Sequence, residues 1–301
     1  MYKASFTEES VLLNGVNIAY QCHGSNDKPT ILLIHGLASP LTGWPPALVD
    51  NFVEQGFHVV LLDNRDMGKS SLVDDVKIPH FIWTALKLKF GFKSKVPYQL
   101  EDLMNDTIAL LDHLELDKVH VIGASMGGMI SQLMAINHPE RLLSLTSIMS
   151  TTGNKRLPKI SADINKQLAK KPKSSSFEDL LAYHKNKWRI IGSPAYPATP
   201  EQLERYVTGL LERGISSKGT IRQILAILAA SNREPLLKEV KTPSLILHGD
   251  SDVIVHVDGA KATAKYIPNS KLKIYPGMGH DIPVMLIDDI TTDIVNFISK
   301  T

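Results

Sequence analysis

Cysteine occurs once in the 301 residues, at Cys22. No intramolecular disulfide is possible, so the chain must hold its fold by burial and hydrogen bonding, as suits a reducing cytoplasm. No apolar run is long enough to span a bilayer, and the opening M-Y-K-A-S-F-T-E-E-S has no apolar signal core. Both absences point to a soluble, cytoplasmic protein. Neither charge sign dominates: 33 Lys and Arg face 31 Asp and Glu, which gives no electrostatic case for nucleic acid as a partner. There is no H-E-x-x-H and no cysteine cluster with metal-ligand spacing, so no metal and no organic cofactor is implied. Gly68-Lys69-Ser70 has the tail of a phosphate-binding loop, but such a loop begins with glycine where this chain has Asp63, so nucleotide binding is excluded. Internal repeats and long low-complexity tracts are also missing. What is present, 43% hydrophobic residues, suffices to bury one large core.

Hydrophobic patterning predicts an α/β chain. Ser10 to Cys22 reads as an antiparallel hairpin turning at Asn14-Gly15. Buried-strand runs then alternate with helical segments. Strands are expected at Ile31 to Ile34, His58 to Leu62, Val119 to Ile122 and Leu142 to Met149. Helices are expected near Pro46 to Gln55 and over the face Leu100, Leu103, Met104, Ile108 and Leu111. Such alternation predicts a parallel sheet covered on both sides, with functional side chains at the carboxyl ends of its strands. The rhythm stops between about Thr151 and Pro235. Helices are expected there behind Ser176 with Asp179, at Thr199-Pro200, and over Ile221 to Ala230. Strands resume at Pro243 and Ser270, and Leu286, Ile290, Ile294 and Phe297 predict a final helix.

Val119 to Gly128 reads V-H-V-I-G-A-S-M-G-G, a strand running into G-x-S-x-G and then a helix. This is the nucleophile-elbow pattern, in which a sharp turn projects the Ser125 hydroxyl and Gly123 and Gly127 let strand and helix pass closely. The helix starting at Met126 aims free N–H groups and its positive end at the site. Five such residues alone also describe a glycine-rich turn with a bystander serine, so the context decides. His35-Gly36-Leu37 follows a strand and can present an amide, making Leu37 and Met126 the candidate oxyanion donors. His35 itself reads as a structural residue of that loop. Pro243 to Asp252 is a strand ending in acids; Asp252 is the candidate carboxylate, with Asp250 organising the turn and Asp258 starting a helix. Gly277-Met278-Gly279-His280 then offers His280 as general base.

The chain order Ser125, Asp252, His280 resembles that of the α/β-hydrolase family. Asp63 to Ser70 also resembles that family's strand-end loop D-x-R-G-x-G-x-S, with Asp66 in place of the usual glycine. The D-N-R-D variant is similar to a small-esterase subgroup containing aclacinomycin methylesterase. The likeness covers roughly Asn14 to Gly153 and Leu236 onward. It implies an α/β-hydrolase fold whose core comprises residues 1–150 and 236–301, with residues 151–235 inserted after the sixth core strand as a helical cap. It also implies two-step hydrolysis of a small-molecule carboxylic ester through an acyl-enzyme. Two alternatives stay open. One is another acyl transfer on the same residues, as in a thioesterase, lactonase, acyltransferase or perhydrolase; the other is a receptor using the pocket without catalysis. Oligomeric state is not legible.

Three further segments read as structural. Arg65 is expected to tie strand ends together. Lys155, Arg156, Lys159, Lys166, Lys170, Lys171 and Lys173 form a basic stretch, read as a solvated face in preference to a site for anions or a membrane surface. The segment Pro79 to Pro97 mixes Phe81, Ile82, Trp83, Leu86, Leu88, Phe90 and Phe92 with Lys87, Lys89, Lys93 and Lys95. It is expected to pack under the helical insertion rather than to line a pocket entrance.

Overall fold

The structure is a computed structural model that describes residues 5–74 and 76–301; the first four residues of the opening segment lie outside it. Eight strands are formed: β1 (Phe6–Leu13), β2 (Val16–His23), β3 (Thr30–Ile34), β4 (His58–Leu62), β5 (Val119–Ala124), β6 (Leu142–Ile148), β7 (Ser244–Gly249) and β8 (Lys271–Tyr275). They build one sheet in the order β1-β2-β4-β3-β5-β6-β7-β8. The hairpin β1/β2 and the β2/β4 pair are antiparallel; every other pair is parallel. From β3 the chain goes first to one neighbour, β4, and then returns to the other, β5. That reversal opens a crevice at the carboxyl ends of β3 and β5, the place where open α/β sheets bind ligands.

The helices are α1 (Pro46–Glu54), α2 (Phe81–Lys89), α3 (Leu100–His113), α4 (Met126–Asn137), α5 (Ala162–Leu168), α6 (Phe177–Ile191), α7 (Pro200–Arg213), α8 (Ser217–Ala229), α9 (Glu234–Leu237), α10 (Asp258–Tyr266) and α11 (Ile287–Ile298). Side chains alternate along each central strand and feed two cores. Leu32, Ile34, Val60, Leu62 and Val121 face α3 and α4, where Leu103, Leu110, Ile130 and Met134 meet them. Ile31, Leu33, Val59, Leu61 and Ile122 face α1 and α11, against Leu48, Phe52, Ile290 and Ile294. The strands are buried on both faces, which is why they read as continuous apolar runs. No helix among the described residues is long and apolar enough to cross a membrane.

Between β6 and β7 the chain forms five helices, α5 to α9. Ser176 and Thr199 cap α6 and α7 by accepting from Asp179 N and Gln202 N, as their sequence positions predict. The eighth helix begins at Ser217, four residues before the expected start, and α5, capped by Ser161, was not expected. Buried ion pairs fasten this segment to the loop after β4. Arg213 Nε donates to Asp63 at 2.8 Å, and Arg222 holds Asp66 through two bonds of 2.7 and 2.6 Å. Burial, the largest single influence, would raise the Asp66 carboxyl, but the Arg222 guanidinium and the Val73 amide are among the groups that together outweigh it and hold it below its ordinary value. Arg65 turns the other way and takes Asp106 in a two-bonded pair; it is a structural cation, but it ties the loop after β4 to helix α3 and not, as expected, strand ends to one another.

Pro79 to Pro97 meets its expected packing on one side only. It forms α2, of which Thr84 and Leu88 are buried and which lies against α8. Ile82, Trp83, Phe90 and Phe92 remain in solvent. The mixed pattern is the cause: a helix presenting large side chains around much of its circumference can bury only the side that meets a neighbour.

Removing one member of a buried ion pair leaves the other charge without compensation. Arg222→Met should therefore cost about 3–5 kcal/mol. Adding Asp66→Gly should recover most of that loss, since it also relieves the positive φ of 72° at Asp66. Urea unfolding of both variants measures this; equal stability of the single and double variants would contradict it.

Candidate active site

Ser125 sits between β5 and α4 with φ 56° and ψ −116°, a conformation that L residues adopt only when the surroundings impose it. Two contacts impose it here. A Cβ on Gly127 would lie 2.0 Å from the Ile34 carbonyl oxygen, so only glycine lets α4 begin against the end of β3. The Ser125 amide is in turn fixed to Ile148 O of β6 at 2.9 Å, and Ser150 Oγ donates to the Ser125 carbonyl at 2.7 Å. The strand-to-helix turn is thus gripped from both neighbouring strands.

His280 Nε2 lies 3.0 Å from Ser125 Oγ, and His280 Nδ1 lies 2.7 Å from Asp252 Oδ2. A carboxylate only accepts, so Nδ1 carries the proton and Nε2 is left to take one from the serine. Asp252 is buried at the end of the β7 loop, and its other oxygen accepts the Ile254 and Val255 amides at 2.8 Å each. Burial would raise this carboxyl; the His280 and His248 imidazoles outweigh burial and hold it well below the usual carboxylate range. Asp250 is exposed and accepts from Gly277 N at 2.7 Å, which makes it the organiser of the turn, and Asp258 opens α10. The structure therefore brings Ser125, Asp252 and His280 together and leaves the other two acids outside.

The loop after β3 closes the other side of the serine. A Cβ on Gly36 would lie 2.9 Å from Ser125 Cβ, so Leu37 follows directly on that contact. The amides around Leu37 are engaged: Gly36 N donates to His35 Nδ1 at 2.7 Å, and Ala38 N donates to Gln223 Oε1 at 3.1 Å. Met126 N, in the first turn of α4, has no intrahelical acceptor. His35 is pushed down to about 4 by burial, with His280 adding to the effect, so its ring is neutral; it packs edge-on to Trp44 and braces the loop.

The helical segment supplies residues that sequence reasoning did not find. Gln223 of α8 bridges Ala38 N and the Arg65 carbonyl, the latter at 3.1 Å. At the C-terminal end of α6, Ile191 O accepts from His280 N at 2.7 Å and Ser193 Oγ accepts from Gly279 N at 2.8 Å. Ser193 Oγ also donates to Asp281. Burial pushes the Asp281 carboxyl up to about 6. The one available signal was Asp281 itself, an acid directly after the candidate base. Among the described residues, no group of three or more His, Cys, Asp or Glu side chains is arranged to hold a metal ion.

Comparison with known proteins places this geometry. A family model described as alpha/beta hydrolase fold matches residues 29–284. Rhodomycin D methylesterase DnrP of Streptomyces peucetius is 26% identical over 290 residues, covering 89% of this chain and 90% of its own. A 2-hydroxy-6-oxononadienedioate/2-hydroxy-6-oxononatrienedioate hydrolase of Escherichia coli is 26% identical over 296 residues, with 92% and 89% covered. Among solved structures, the meta-cleavage product hydrolase CumD of Pseudomonas fluorescens superposes with a TM-score of 0.74 at 18% identity, over 97% of both chains. With its eight-stranded sheet, its strand-to-helix serine turn and a family match across most of its length, the chain belongs to the alpha/beta hydrolase fold family.

Proposed function

We propose that the protein is a serine esterase that cleaves small-molecule carboxylic esters through an acyl-enzyme. The observation that carries this reading is the unbroken chain from Ser125 Oγ through His280 to Asp252, with contacts of 3.0 and 2.7 Å. Ser125 attacks the ester carbonyl while His280 Nε2 takes its proton, and Asp252 stabilises the imidazolium that results. The Leu37 and Met126 amides receive the developing oxyanion. The alcohol leaves with the proton returned by His280, and water releases the acid by the same route. The named activity of the Streptomyces relatives, methyl ester cleavage, is consistent with a small leaving alcohol. In this reading residues 151–235 act as a cap whose helices roof the acyl pocket and hold both loops around the serine.

Ser125→Ala should lower kcat on short-acyl p-nitrophenyl esters by on the order of a million-fold, as for removal of a triad serine elsewhere. A fluorophosphonate should label the native protein and not the variant. Retained turnover in Ser125→Ala would overturn the reading. Analysing products with alcohol or peroxide present tests whether water is the acceptor: transfer products in place of the free acid would make the enzyme a transferase or perhydrolase.

Gln223 touches no substrate in this scheme and acts as a positioning residue for the oxyanion loop through Ala38 N. Gln223→Leu should lower kcat roughly 10- to 100-fold with KM nearly unchanged, because a displaced oxyanion donor is felt only in the transition state. Gln223→Glu keeps the acceptor for Ala38 N but loses the donor to the Arg65 carbonyl, so it should recover only part of the loss and do so better at low pH, where the carboxyl is protonated. Equal kcat in all three proteins would refute the role.

Asp281 gives a pH dependence of stability. Its raised value means that the folded state holds this proton more tightly than the unfolded chain. Its contribution to stability is therefore intact at low pH and lost as pH rises from the ordinary carboxylate range through about 6. Asp281→Asn cannot ionise, so its Tm relative to the native protein should climb between about pH 4 and about pH 7. A flat difference across that range would show that the carboxyl titrates normally.

A further inference from the structure

One helix and its turn carry a run of exposed large hydrophobic side chains. Ile82, Trp83, Phe90 and Phe92 are 63, 65, 72 and 67% exposed, with Phe81 and Leu86 partly so, all within α2 and the turn that follows it. At about 100° per residue, Ile82, Trp83, Leu86 and Phe90 fall on one stripe, opposite the buried Thr84 and Leu88 that dock on α8. The stripe is thus the unpartnered face of an otherwise anchored helix. Lys155 Nζ donates to the Leu88 carbonyl at 2.7 Å, so the basic stretch begins against the same helix.

Two stretches of the chain are strongly basic. Residues 76–100 contain five lysines and no acid; residues 154–175 contain seven Lys and Arg and a single acid, Asp163. Those two segments hold twelve basic residues against one acid in a chain of net charge +2, so the remainder carries nine more acids than bases. The basic residues are thus gathered in the stretch that carries the exposed apolar helix and in the stretch that reaches it through Lys155. An apolar stripe with an indole at its edge, in a segment rich in lysines, suits the boundary between lipid headgroups and acyl chains, where lysine stems can lie along apolar surface while their ammonium groups reach the phosphates. A soluble acidic partner would satisfy the lysines but leave Ile82, Trp83 and Phe90 in water; a lipid surface satisfies both.

We propose that the face formed by α2, the Phe90–Phe92 turn and residues 154–175 docks on an anionic phospholipid surface, with Ile82, Trp83, Phe90 and Phe92 entering the headgroup boundary and the lysines of those segments pairing with lipid phosphates. The contact is peripheral, and it stands apart from the hydrolytic reading because it is read by binding alone. Lysines near such a surface each strengthen binding about fivefold in low salt, and the apolar side chains add to that in proportion to the area they bury.

Flotation with vesicles tests the proposal. The native protein should float with vesicles of equal parts phosphatidylcholine and phosphatidylglycerol, not with phosphatidylcholine alone, and raised salt should weaken the association. Trp44 is already buried and Trp188 half-buried, so a blue shift of tryptophan emission on vesicle addition should come from Trp83 and be absent in Trp83→Phe. Two double variants, Trp83→Ser with Phe90→Ser and Lys87→Glu with Lys93→Glu, should each reduce partitioning about tenfold or more while keeping the native Tm. Failure of the native protein to float, equal flotation of native protein and variants, or self-association that Trp83→Ser with Phe90→Ser abolishes without any vesicle binding would each overturn it. The last result would make a second copy the occupant of this face.

Discussion

The carboxyl edge of the sheet is organised by how closely the start of α4 passes the end of β3. Gly127 lies against the Ile34 carbonyl with no room for a side chain, and this contact forces the reversal that leaves Ser125 at φ 56°. A strained residue persists only where its surroundings over-determine it, and here they do: β6 fixes the Ser125 amide, Ser150 fixes its carbonyl, and Gly36 abuts its Cβ. Ser125 is thereby held between the start of α4 and the loop after β3. The rest of the site, a histidine and an acid, needs only to arrive at an edge already shaped to receive it.

What delivers the histidine is the helical segment between β6 and β7. Its α6 end holds the amides of Gly279 and His280, and its α8 holds Ala38 on the opposite loop. Arg213 and Arg222 anchor it to Asp63 and Asp66 at the strand edge beneath. Two loops that flank the serine are thus set by one inserted segment, and that segment is set by buried charges on the core. Such pairs contribute modestly to net stability after their desolvation, but breaking one is costly, so they favour one docking of the helices over others.

The sheet was legible because its strands are buried on both faces and read as short apolar runs, as at Ile31 to Ile34 and His58 to Leu62. Ser125, Asp252 and His280 were legible because each follows such a strand with a glycine beside it, and the structure places them in hydrogen-bonding reach. Gln223 and Ser193 were not legible. Both lie in helical stretches whose local patterns say nothing of which core loop they will meet, since their roles exist only after the insertion docks. Asp66 gave half of its information: a residue departing from the glycine of similar loops signals something unusual, yet its partner Arg222 is 156 positions away. The segment around Trp83 was legible in part: it packs on the helical insertion as expected, but amphipathic pattern reports which side chains are apolar and not whether anything comes to cover them.

The separation of 155 positions between Ser125 and His280 orders events during synthesis. Domains emerge from the ribosome N-terminal end first, and parallel strands pair only after their connections are complete. The strand-to-helix turn and its amides can therefore assemble while the imidazole, its acid and the α6 end that grips them are still untranslated. A nascent chain thus carries the Ser125 hydroxyl before its His280 partner, and the hydrogen bond between them forms only after β8 has been made.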